Sequence, residues 1–118
     1  MTYLRTPHAP VTPTPAMLRY WWLRLNRDMF RDALPQPVFR VRRLGDGKAL
    51  YENAVYGNLG EGTISFAPAA ITRRALVGTM LHEMIHQLQA IQGRPLVHGR
   101  FFNVVAKRLG RRAGVLVP

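Results

Sequence analysis

The chain has 118 residues, with 17 Lys or Arg against 6 Asp or Glu, for a net charge of +11. That length supports one compact domain with a modest core. There is no cysteine, so disulfides, thiolate zinc sites and cysteine nucleophiles are excluded, and any metal must be held by imidazole, carboxylate or water. No apolar run reaches membrane-spanning length, and the N-terminus lacks the apolar core of a signal peptide; no membrane contact and a cytoplasmic location are expected. The charge, mostly arginine, favours polyanions such as nucleic acid, but no nucleic-acid motif with defined spacing accompanies it.

Residues 1–13 contain Pro7, Pro10 and Pro13 with few large apolar side chains and read as a flexible, proline-rich arm, with His8 as a surface histidine. Thr14-Pro15 is a helix start, threonine capping and proline in the first turn. Leu18, Trp21 or Trp22, Leu25 and Met29 recur at helical spacing, so a helix is expected to about Asp32, ended by Leu34-Pro35-Gln36-Pro37. Strands are expected over Val38 to Leu44, Ala49 to Tyr56 and Gly62 to Phe66, separated by Gly45-Asp46-Gly47, Gly57-Asn58 and Gly60-Glu61-Gly62. The short links predict an antiparallel three-stranded meander. Thr72 is a candidate N-cap for a central helix to about Gln92, stopped by Gly93-Arg94-Pro95. A last helix is expected from Arg100 to about Leu109, with Phe102, Val105 and Leu109 on one face and Arg111 to Pro118 as a short tail. The domain is thus placed at 14–110, and its class is α+β.

The central helix carries His82-Glu83-Met84-Ile85-His86, an H-E-x-x-H pattern. Residues four apart lie one turn above each other on a helix, so His82 and His86 can offer two imidazoles to one cation. Glu83 lies beside the first of them, where its carboxylate can take the proton of a water acidified by that cation. Apolar residues wrap most of this helix and leave a narrow polar stripe of Thr79, His82, Glu83, His86 and Gln89, which is costly in a core unless paired or metal-bound. The plainer alternative is a set of core histidines bonded to backbone carbonyls.

A catalytic zinc site usually has three protein ligands. No glutamate lies beyond Glu83, and His98 is the only downstream histidine, twelve residues after His86 across a loop that can bring it back. His98 is therefore the candidate third ligand of one zinc ion. Tyr51, Tyr56 and Arg100 are candidates to stabilise an oxyanion, and Gln89 is a candidate to support the ligands; the sequence does not choose among them.

Thr79-Met80-Leu81, the H-E-x-x-H run and His98-Gly99-Arg100-Phe101-Phe102 together resemble the SprT-like (Spartan-type) metallopeptidase domain. Asn26 and Phe30 leading to Leu34-Pro35, and Gly62-Thr63-Ile64-Ser65-Phe66 followed by proline, fit the same pattern. The resemblance spans about Tyr20 to Leu109. It implies a minigluzincin-like fold with one zinc held by His82, His86 and His98, and Glu83 as general base hydrolysing peptide bonds. It also implies a protein or peptide substrate, which in Spartan-type members is protein crosslinked to DNA. The chain departs from longer members in having no cysteine, so a C-terminal zinc ribbon is not expected, nor is an appended DNA-binding segment. A version of this length would fit a phage or bacterial accessory protein. The rival reading is a basic nucleic-acid-binding module whose zinc is structural or vestigial.

Overall fold

The computed structural model describes residues 9–54 and 61–118. The sequence-based expectations for His8, Tyr56, Gly57-Asn58, Gly60 and the first eight residues of the arm lie outside these. Helix α1 (Pro15–Phe30) begins where Thr14 Oγ1 accepts the Met17 N–H at 3.2 Å. It ends two residues before the expected Asp32, because Arg31 and Asp32 both take positive φ and turn the chain away. Leu18, Trp21, Trp22, Leu25 and Met29 are all buried, so both tryptophans belong to the inner face.

Buried Asn26 fastens this helix end. Its Nδ2–H donates to the Leu34 carbonyl at 3.0 Å, and its Oδ1 accepts the Leu34 N–H at 3.1 Å. Asn26→Ala leaves two buried backbone groups without partners. We expect a loss of about 2–4 kcal/mol in urea unfolding; a change near zero would mean that water takes over both groups.

Strands β1 (Val38–Val41), β2 (Ala49–Asn53) and β3 (Gly62–Phe66) form one sheet in the order β1-β3-β2. The expected all-antiparallel meander is corrected to a mixed sheet. β2 pairs antiparallel with β3, Tyr51 opposite Ile64, whereas β1 pairs parallel with β3, Phe39 opposite Ile64. Short links do reverse the chain twice, but they do not decide which strands touch. β3 is the most deeply buried strand, with Ile64, Ser65 and Phe66 at 0–1 % exposure, and it takes the centre. Two reversals then leave β1 running with it. Among the described residues, β1 also stops at Val41 and β2 at Asn53, both shorter than expected.

Helix α2 (Arg73–Ile91) has the expected bounds, and Thr72 Oγ1 accepts the Ala75 N–H at 3.1 Å. It packs against β2, α1 and α3, and Leu76, Val77, Met80, Leu81, Met84 and Ile85 are fully buried. Even its polar Gln87 is inside: Trp22 Nε1–H donates to Gln87 Oε1 at 3.0 Å, and Gln87 Nε2–H donates to the Pro35 carbonyl. Helix α3 (Arg100–Ala113) runs past the expected Leu109, because Ala113 continues the buried row of Phe102, Ala106 and Leu109. Gly114 ends it in the left-handed region, and Val115 and Val117 then pack on the core. At the other end of the chain, Val11 forms an antiparallel bridge with Ile71, with bonds of 2.8 and 2.9 Å. No helix among the described residues is long and apolar enough to cross a membrane.

Candidate metal centre

His82 and His86 project from one face of α2, as their four-residue spacing requires. His98 arrives from the loop between α2 and α3, and residue Gln89 explains how. Its backbone carbonyl accepts the Arg94 N–H at 2.8 Å, and its side-chain Nε2–H donates to the Val97 carbonyl at 2.9 Å. The loop is thereby folded back over the helix with His98 against the other two rings. His98 Nε2 lies 2.9 Å from His86 Nε2 and 3.1 Å from His82 Nε2. A tetrahedral ion with nitrogen ligands at about 2.0–2.1 Å holds them about 3.3 Å apart. The three rings are thus gathered on nearly the scale of one ion, and their ligand atoms all fall within 4.8 Å of one another.

The outer nitrogens settle which atoms carry lone pairs. A carbonyl oxygen only accepts, so the 2.6 Å contact of His82 Nδ1 with the Pro118 carbonyl requires a proton on Nδ1. Gln89 uses its amide N–H on Val97, so its Oε1 is the atom facing His86 Nδ1 at 2.7 Å, and that nitrogen is protonated too. Both helix histidines therefore turn an unprotonated Nε2 inward. Lone pairs so placed repel unless a proton or cation lies among them. Burial lowers the pKa of His82 and His86, aided by the neighbouring imidazoles and opposed by the Pro118 and Gln89 hydrogen bonds. The neutral form that a metal requires is the favoured one at neutral pH.

Phe102 of α3 forms the floor. It is buried, and its ring centroid lies 4.7, 5.1 and 4.8 Å from those of His82, His86 and His98. The helical pattern marked it as apolar but could not say that it faces the histidines. The Pro118 carbonyl was missed altogether, since a backbone oxygen has no signature in sequence.

Glu83 is 4 % exposed, and its Oε1 lies 4.0 Å from His82 Nε2. Its Oε2 has no hydrogen-bond partner among the described residues. Burial pushes its pKa up to about 7. A carboxylate with a free lone pair beside three inward-facing imidazoles fits a metal that carries an exchangeable water, so the donor set suits zinc. The raised pKa also means that the metal-free fold binds the Glu83 proton more tightly than the unfolded chain does. Stability is then full below the ordinary carboxyl value of 4.5 and is lost as pH rises to about 7. Metal-free Glu83→Gln should exceed wild type by about 3 kcal/mol in urea unfolding at pH 8 and match it at pH 4; equal stability at both values would contradict it.

Of the other candidates, Tyr51 and Arg100 lie within the described residues. The Tyr51 hydroxyl donates to the Glu61 carbonyl at 2.9 Å and lies 3.2 Å from Asn53 Oδ1, and burial raises its pKa to about 12. It is engaged at the β2–β3 end of the sheet. Arg100 opens α3 with its side chain exposed, two residues after His98.

Compared with known protein families, residues 18–117 match the SprT-like family. No curated protein and no solved structure matches the chain.

Proposed function

Since the chain belongs to the SprT-like family, whose members are generally zinc metallopeptidases, we propose that it is a zinc-dependent endopeptidase acting on protein or peptide substrates. The observation that carries this reading is the buried Glu83 oxygen, without a partner among the described residues, next to three converging imidazoles. His82, His86 and His98 would hold the ion through Nε2, with Gln89 and the Pro118 carbonyl orienting two of the rings. Zinc, when bound, supplies a Lewis acid that polarises a carbonyl and brings the pKa of water toward neutrality.

The chain's own chemistry is proton handling. Glu83 accepts the proton of the attacking water and delivers it to the departing amine, so that an amine leaves rather than an amide anion. Burial raises its pKa in the metal-free protein, and a cation held by the three imidazoles would favour the ionised carboxylate, the form that accepts a proton from water. Phe102 lies against all three rings and limits water on that side, and the loop that brings in His98 carries exposed Leu96 and Val97. A metal-holding module without catalysis has no use for a desolvated carboxylate at this spot, and Glu83 therefore supports the hydrolase over the structural-zinc alternative. The net charge of +11 supports a further nucleic-acid contact under the same reading.

The test is metal analysis of the purified protein, then digestion of casein or histone by the zinc-loaded and chelator-stripped forms, with and without single-stranded DNA. Stoichiometric zinc and zinc-dependent cleavage are expected. A zinc-loaded protein that cuts neither substrate under any of these conditions would count against it.

A further inference from the structure

We infer that the segment after α3, Gly114 to Pro118, is a positioning strap for the metal centre: it lies along α2 and holds the ring of His82 in the metal-binding tautomer through the Pro118 carbonyl. The inference rests on the metallopeptidase reading above.

The strap is fastened along its length. Gly114 and Val115 N–H both donate to the Gly110 carbonyl, at 2.9 and 3.0 Å, and Arg74 Nη1–H donates to the Gly114 carbonyl at 2.7 Å. Val115 and Val117 pack on the core, while Leu116 between them is 85 % exposed. That in-out-in alternation is the pattern of an extended segment with one covered face. Beyond Val117, the Pro118 carbonyl stands 2.6 Å from His82 Nδ1.

Gly78 is what admits the strap. It lies one helical turn before His82, on the same face of α2. A methyl group built at residue 78 would come 2.1 Å from the Leu116 carbonyl oxygen, a backbone atom. Gly110 of α3 does the same on the other side, where an added methyl would meet the Val115 carbonyl at 2.8 Å. The two glycines form a slot for backbone, and the slot leads to the outer nitrogen of a candidate ligand. A hydrogen bond there matters because metal-bound histidines depend on the partner of the second ring nitrogen for tautomer and orientation.

Gly78→Ala and a chain ending at Val115 test this in two independent ways. Alanine favours helix over glycine, so the first variant displaces the strap without weakening α2 itself. Zinc is titrated into each protein against a chromophoric chelator, and the histidine tautomers of the metal-free proteins are read by ¹⁵N NMR. Both variants should bind zinc about 10–100-fold more weakly. His82 should lose its Nδ1-protonated signature while His86, bonded to Gln89, keeps it. Unchanged zinc affinity with an unchanged His82 signal overturns the inference, as does an equal loss of signature at both histidines, which would mean general loosening. Should Gly78→Ala fail to fold, the shortened chain decides. A wild-type protein that takes up no zinc refutes the metallopeptidase reading instead, and the NMR comparison still judges the strap.

Discussion

Glu83→Gln is expected to leave zinc content unchanged and to lower peptide-bond cleavage by about 10²–10⁴-fold, the range associated with general acid–base catalysis. The two outcomes separate because the structure separates the roles. The candidate ligand nitrogens belong to His82, His86 and His98, while Glu83 Oε1 is 4.0 Å from His82 Nε2 and Oε2 has no partner among the described residues. Glutamine fills the same space and keeps α2 intact, but it cannot accept a proton and pass it on. Its amide is also neutral, so it removes the cost of a buried charge. The variant should be inactive and, without metal at alkaline pH, more stable than wild type. Such opposite signs in activity and stability mark a residue kept for chemistry rather than for packing. Cleavage at the wild-type rate would remove Glu83 from the mechanism.

His98→Ala should lower zinc affinity by more than about 100-fold, beyond the loss typical of a supporting hydrogen bond, and should abolish cleavage without unfolding the protein. His98 sits in an exposed loop, and its ring lies against the other two histidines and the buried Phe102. Circular dichroism and the unfolding midpoint of the metal-free variant should match wild type, while competition with a chelator shows the weakened site. His86→Ala should weaken zinc equally and should also free Gln89 Oε1, loosening the loop that Gln89 holds through Val97. If His98→Ala bound zinc as wild type does, two imidazoles and water would suffice, and the loop would have no part in the site.

Much of this centre could be read directly from the order of residues, for local reasons. The spacing of His82 and His86 encodes a shared helix face, and Thr14 and Thr72 encode helix starts through their own hydroxyls. His98 followed by exclusion, as the only later histidine in a chain without cysteine. The α+β class followed from hydrophobic periods of two and near four. Each of these signals involves residues a few positions apart, or a simple count, and none requires knowing what lies across the core.

Tertiary structure decided what depends on distant partners. Turn residues announced that the chain reverses, but only the burial of Ile64 and Phe66 put β3 between β1 and β2 and made the first pair parallel. The partner of the Tyr51 hydroxyl, the Glu61 carbonyl ten residues on, came only with the pairing of β2 and β3. Phe102 looked like any apolar helix residue until α3 packed it beneath three imidazoles. The Pro118 carbonyl is the extreme case: 36 positions from His82, it acts through an atom that every residue possesses. Side-chain type is written along the chain, whereas the use of a backbone oxygen is settled only by what the folded chain brings within reach of it.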